Sequence, residues 1–216
     1  MCKSLIKNPT GSETDSHSMV FDHTIRTNKN ANKPITQETN TSQRAPVMLV
    51  HCDYTSNSAP LRVSQLLPDT PFAKYLSSSD TTDSGPHSPC ANRYTFINVW
   101  LPVHNPVYNN PLAMLDHKST VPSDFQVLHL RYRDRNGENY VLKHREGHDW
   151  VYFPGMSTDQ CVLLKTFDSE RGQDDCDEKS QGQRARWVAH SAFKDPSGKD
   201  EMPARESVEI RTIAFF

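Results

Sequence analysis

RYTFINVW, residues 93–100, is where the chain changes texture. β-Branched and aromatic residues crowd together there, the types that fit a pleated, half-buried surface. Runs of the same kind recur to the C-terminal end: Tyr94 to Trp100, Leu112 to Leu115, Phe125 to Tyr132, Asn139 to His144, Asp149 to Phe153, Val162 to Phe167, Arg186 to Ala189 and Val208 to Phe215. Eight short strands predict a mainly β fold, a double-stranded β-helix of the jelly-roll or cupin-like kind, with a few flanking helices. Asp134-Arg135-Asn136-Gly137 suits a hairpin turn, and Glu170 to Gln183 reads as an acidic polar loop.

Working back from Arg93, residues 77–92 are rich in Ser, Thr, Asp and Pro and predict a mobile surface loop. Leu61 to Leu67 has helical spacing stopped by Pro68, and Val47 to Val50 makes a short β-type run ending at His51. Residues 1–44 are mostly Ser, Thr, Asn and Lys around one apolar island, Met19-Val20-Phe21. They predict a largely flexible arm that lends one strand to a single domain over residues 45–216.

Composition narrows the functional classes. The 216 residues, 35% hydrophobic with a mean hydropathy of -0.73, suffice for one domain with a sizeable core. Fifteen prolines against eight glycines argue for irregular connections over a helical bundle. A net charge of -2 gives no electrostatic footprint for nucleic acid. Neither a membrane-length apolar run nor the apolar core of a secretory signal is present, so a cytoplasmic location is expected. Cys2, Cys52, Cys90, Cys161 and Cys176 are odd in number and scattered, which suggests neither a disulfide framework nor a thiolate zinc site.

The chemistry is concentrated in two places. His51-Cys52-Asp53 follows the β-type run at 47–50, and an extended backbone with one intervening residue sends His51 and Asp53 to the same face. That is the first half of a two-histidine, one-carboxylate metal site, with His190, after the run 186–189, as its third ligand. Taken alone, His51 could instead end a strand and Asp53 form an Asx turn. Arg205 and Ser207 lie two apart at the start of the last strand and so share a face. A guanidinium fork with a hydroxyl suits the far carboxylate of a dicarboxylate such as 2-oxoglutarate. The alternative is a surface ion pair at Arg205 and a solvated Ser207; the distance from His190 and the place on the final strand favour the receptor.

Eight blocks carry a family resemblance: VFDHTIR (20–26), HCDYTSNSAPLRV (51–63), INVWLPV (97–103), PLAMLDHKS (111–119), GHDWVYFPGM (147–156), LLKTFDS (163–169), HSAFKDP (190–196) and PARESVEIR (203–211). In this order they resemble the fungal hydroxylase/desaturase family of secondary metabolism, similar to gibberellin desaturases and the cephamycin methoxylation protein. The resemblance implies a double-stranded β-helix, an Fe(II) centre held by His51, Asp53 and His190, and 2-oxoglutarate and O2 as cosubstrates. It places Arg205 and Ser207 on 2-oxoglutarate and makes Asn98 a further cosubstrate residue. Lys165 and Trp150 become substrate-pocket residues, and the substrate a small secondary-metabolite intermediate. His148 and Tyr152, which alternate with Trp150, read as core or lid residues.

The chain departs from the family at Leu101, where an Arg is usual, and in a short polar segment ahead of the VFDHT block. These departures carry a second expectation: a non-catalytic or partner-dependent member, its open sheet edge covered by a second copy or a partner subunit. A third is a cupin-like metal-dependent hydrolase or isomerase, against which the Arg205–Ser207 pair argues.

Overall fold

The computed structural model describes residues 17–28, 44–75, 93–131, 136–170, 185–197 and 201–216. Its strands are β1 (His17–Thr27), β2 (His51–Cys52), β3 (Tyr94–Pro102), β4 (Leu112–Leu115), β5 (Phe125–Arg131), β6 (Asn136–Leu142), β7 (Trp150–Tyr152), β8 (Val162–Asp168), β9 (His190–Ala192) and β10 (Glu206–Phe215). Two sheets result, one ordered β1-β10-β3-β8 and the other β5-β6-β2-β9-β4-β7, with every strand pair antiparallel. This is the mainly β, jelly-roll arrangement that the spacing of the runs predicts.

Alternation along β3 and β10 decides what lies between the sheets. Tyr94, Phe96, Asn98 and Trp100 on β3 pair with Phe215, Ile213, Arg211 and Glu209 on β10, so each pair points to one side. At one end of this inward face Tyr94, Phe96, Ile213 and Phe215 join Phe167, Leu115 and Trp187 in the main core. Phe72 and Tyr75 stack on Phe215 from outside the strands. The other end is different: around Trp100 a smaller apolar cluster of Val107, Leu112, Met156, Val162 and Leu164 borders charged groups. The barrel is therefore dry at one end and polar at the other, and the polar end is where chemistry is feasible.

One helix of more than two turns stands among the described residues, α1 (Ser58–Leu66). It starts three residues before the expected Leu61 because Thr55 and Ser58 cap it reciprocally. Thr55 Oγ1 accepts from the Ser58 amide at 3.0 Å, and Ser58 Oγ accepts from the Thr55 amide at 2.8 Å.

Two predicted segments come out differently. The run 47–50 is irregular, with strand geometry only at His51–Cys52. The Val47 carbonyl accepts from Ala192 and the Val50 carbonyl from Leu142, single bonds to two different strands. Arg186 to Ala189 is likewise no strand: Val188 donates to Lys165 and Ala189 accepts from Leu115, so this stretch stitches the two sheets together. The β5–β6 hairpin forms as expected, but Asn136 and Gly137 pair with Arg131 and Leu130 in its ladder, and the connecting residues 132–135 lie outside the described ones. The expected mobile loop at 77–92, most of the arm at 1–44 and nearly all of the acidic loop lie outside the described residues; β1 is the strand that falls within the arm. Cys52 is buried and Cys161 exposed, and the other cysteines are outside the described residues. No described helix is long and apolar enough to cross a membrane.

A buried carboxylate ties down the second sheet. Asp124 accepts from the Val121 amide at 2.9 Å and from Arg145 Nε at 3.1 Å, and His148 Nε2 lies 2.9 Å away. Burial disfavours its charge, but His148 and Arg145 outweigh burial and hold the carboxyl below the usual carboxylate range. Asp124→Asn is expected to cost about 1–3 kcal/mol, because buried donors lose their acceptor. Urea unfolding at neutral pH measures this. The difference should shrink as pH falls through the lowered Asp124 pKa, where the wild-type carboxylate is itself protonated.

Candidate metal centre

Strand pairing brings the two histidines together. His51 on β2 sits directly opposite His190 on β9, with ring centroids 4.5 Å apart. Asp53, two residues beyond His51, returns to the same side, and its Oδ1 lies 3.5 Å from His51 Nε2 and 3.9 Å from His190 Nε2. One donor atom from each of the three lies within 4.8 Å of the others. Both imidazoles are oriented by the backbone, His51 Nδ1 at 2.8 Å from the Leu49 carbonyl and His190 Nδ1 at 3.1 Å from that of Val188. Carbonyls accept only, so each Nδ1 carries the proton and each Nε2 offers its lone pair inward. Two neutral imidazoles and one carboxylate on one side fit a divalent first-row metal such as Fe(II) and leave the opposite side of the ion open.

Asp53 is kept ionised. Burial would raise its carboxyl, but the adjoining His51 and the positive charge of Arg211 outweigh burial and hold it far below the usual carboxylate range. Asn98 Nδ2 donates to Asp53 Oδ2 at 2.7 Å. Asn98 thus braces a member of the candidate triad, a contact the sequence reading, which puts Asn98 on the cosubstrate, does not foresee. The bond commits one carboxylate oxygen and leaves Oδ1 facing the two histidines. Asn98→Ala is expected to weaken Fe(II) binding about tenfold or more, the scale for losing an outer-sphere partner. Competition with a chelator reads the affinity, and an unchanged circular dichroism spectrum separates this from unfolding.

Arg205 and Ser207 are also brought together, both almost fully buried. Arg205 Nε donates to Ser207 Oγ at 3.1 Å and Nη1 to the Asn110 carbonyl at 2.6 Å, while the guanidinium lies 5.1 Å from the Trp100 ring centre. Among the described residues no carboxylate lies within ion-pair distance of Arg205. Burial, with repulsion from Arg26, pulls its pKa down to about 9, so it is still a cation at neutral pH. A buried cation held only by neutral groups is a receptor for an anion.

The remaining predicted positions lie elsewhere. Lys165 pairs with Ile97 in the β3–β8 ladder, on the face opposite Asn98, and its Nζ lies 3.5 Å from Asp168, which Arg93 also grips. Trp150 pairs with Leu115, whereas the face of His190 carries Met114 and Val151. Neither side chain is directed at the triad. Leu101, next to inward Trp100, points away as well, so the departure from the family pattern falls outside the interior.

Asn110, Glu209 and Arg211 went unread in the sequence. Asn110 has φ 49°, a left-handed conformation that Asn tolerates, and this turns its carbonyl to Arg205. The signal for Glu209 and Arg211 was available: both continue the two-residue spacing of Arg205 and Ser207 along one strand face.

A jelly roll that gathers two histidines and an aspartate on one side, near a buried arginine, is a fold with a candidate metal site of the two-histidine, one-carboxylate kind. The profile of the family described as an oxidoreductase/YMDC permease-like domain matches residues 1–215, and the chain belongs to that family. Its curated relatives include fungal hydroxylase/desaturases. The aspirochlorine biosynthesis protein N of Aspergillus oryzae is 34% identical over 57% of this chain and 49% of its own length. The hydroxylase/desaturase asaB of Aspergillus flavus is 31% identical over 57% of this chain and 56% of its own. Among solved structures, the iron and alpha-ketoglutarate-dependent endoperoxidase NvfI superposes with a TM-score of 0.69 at 26% identity, over 93% of this chain and 61% of that one. The chain thus spans about half the length of the curated relatives it matches.

Proposed function

We propose that the protein is an Fe(II)- and 2-oxoglutarate-dependent oxygenase that hydroxylates or desaturates a small-molecule intermediate of fungal secondary metabolism. The observation that carries this reading is the coexistence of a His51–Asp53–His190 donor set and a buried Arg205 with no carboxylate partner among the described residues. The fungal relatives named as hydroxylase/desaturases support the same class. Iron with 2-oxoglutarate and O2 supplies an oxidant strong enough to break an unactivated C–H bond, with release of succinate and CO2.

The protein's own residues bind, orient and exclude. His51, Asp53 and His190 confine the metal to one side, and the backbone carbonyls of Leu49 and Val188 keep both rings in the tautomer that ligates. Arg205 and Ser207 would take the distal carboxylate, which fixes the other end of the cosubstrate relative to the triad. Trp100, Leu112, Val162 and Leu164 form an apolar wall beside the charged groups and lower the local dielectric, which strengthens the ion pair. A metal-dependent hydrolase or isomerase would need the triad but would have no use for Arg205.

A second copy or partner subunit has the exposed edge strands β5 and β7 in its favour, and light scattering tests it.

Anaerobic titration with Fe(II) and then 2-oxoglutarate tests the function. A visible absorption band that needs both additions, and succinate released on admitting air, are the expected results. Binding of 2-oxoglutarate that is indifferent to the metal, or no binding at all, would overturn the reading.

A further inference from the structure

The inward face of β10 continues onto β1. Their register pairs Ser207 with Arg26, Glu209 with Thr24 and Arg211 with Asp22, and paired residues project to the same side of a sheet. The interior beside the triad is therefore lined by charge in rows, a feature of the fold rather than of one loop.

Most of these charges are matched. Arg211 donates to Glu209 at 2.9 Å and to Asp22 at 2.8 Å, and Asp53 accepts from Asn98. Arg26 and Arg205 are not matched. Arg26 Nη1 donates to the Ala45 carbonyl at 3.0 Å, and among the described residues no carboxylate lies within ion-pair distance of it. Arg205 is bound only to Ser207 and the Asn110 carbonyl. Arg205, the residue just ahead of β10, bonds Ser207, and Arg26 pairs with Ser207 from the neighbouring strand and projects to the same side. Each guanidinium loses hydration and is drawn by Glu209 only at longer range, with no direct ion pair among the described residues, an arrangement that an incoming anion relieves. Their mutual repulsion is felt at Arg205, whose pKa it helps to lower.

We propose that Arg26 is a second binding residue for the distal carboxylate of the cosubstrate, gripping it from β1 while Arg205 and Ser207 grip it from β10. This rests on the oxygenase reading above. A carboxylate has two oxygens and about four acceptor directions, so a fork from each strand can be satisfied at once. Arg26 then sets specificity for a dicarboxylate over a 2-oxo acid that lacks the far group.

The test uses protein loaded with Mn(II), a redox-silent occupant of the triad, and calorimetric titration with 2-oxoglutarate and with 2-oxobutyrate. The second acid keeps the 2-oxo acid head and lacks the distal carboxylate. Arg26→Gln is expected to weaken 2-oxoglutarate about tenfold or more and to leave 2-oxobutyrate unchanged. Arg26→Lys should recover part of the loss, since it keeps charge without the fork. Unchanged 2-oxoglutarate affinity in Arg26→Gln overturns the proposal. Equal weakening of both acids also overturns it and assigns Arg26 a purely structural role in β1. Wild-type protein that binds Mn(II) but neither acid would instead overturn the oxygenase reading itself.

Discussion

His190→Ala should lose the visible band of the Fe(II)–2-oxoglutarate complex and all metal-dependent succinate release. His190 is almost completely buried and faces His51 across the β2–β9 pair, so water cannot replace its Nε2 without opening the strand pair. Removing an outer partner of a metal ligand typically costs about 10–100-fold in affinity, and removing the ligand itself should cost more. The side chain lost is small beside the core formed by Tyr94, Phe96, Phe167 and Phe215, so the circular dichroism spectrum should be retained. His104→Ala is the control: that imidazole is exposed, pairs with Glu206, and should leave the band intact. In wild type, metal loading should weaken as pH falls through the histidine range, because both imidazoles ligate only when neutral.

Arg205→Ala should leave Fe(II) binding near wild type and weaken 2-oxoglutarate by about a hundredfold, the upper range for a charge-assisted fork in a dry site. The two effects separate because Arg205 contacts none of the triad; its partners are Ser207 and the Asn110 carbonyl. Truncating one partner of a buried ion pair usually orphans the other charge and destabilises the fold. Here no described carboxylate would be orphaned, so the variant should melt near the wild-type temperature. Arg205→Lys should fall between, retaining the charge and losing the bidentate geometry. A titration in which Arg205→Ala binds 2-oxoglutarate as tightly as wild type would remove the receptor from the site.

The triad was legible in sequence because it depends on the shortest-range rule of extended chains, that positions two apart share a side. His51-x-Asp53 and Arg205-x-Ser207 both obey it. That rule fails where a ladder is irregular. The β3–β8 register shifts between Phe96 and Ile97, so counting by two from buried Phe167 turns Lys165 inward, whereas the bulge sends it outward to Asp168. Arg186 to Ala189 has strand-like composition, yet its hydrogen bonds cross between sheets, and no local pattern records where a carbonyl finds its donor. Glu209 and Arg211 were hidden by the habit of reading apolar residues as inward. On β10 Val208 and Ile210 turn away from the interior, and Glu209 and Arg211 fill it, paired with each other and with Asp22. Asn98 lies in the neighbourhood the sequence suggests, and its bond to Asp53 is one that no sequence pattern announces. Its register position is fixed by β3, but contact with Asp53 depends on the opposite sheet.

The pairing of β1 with β10 has a consequence for how the protein is made. Asp22 and Arg211, joined in the ladder, are 189 positions apart in the chain, and closing so long a loop is slow compared with forming a hairpin. His190, Arg205 and Ser207 are all translated late, so a nascent chain on the ribosome carries His51 and Asp53 as an incomplete, weakly chelating pair. On the proposed function, metal capture and cosubstrate recognition would arise together, after β10 has emerged and docked against β1. Partly synthesised chains would then be spared from holding reactive iron.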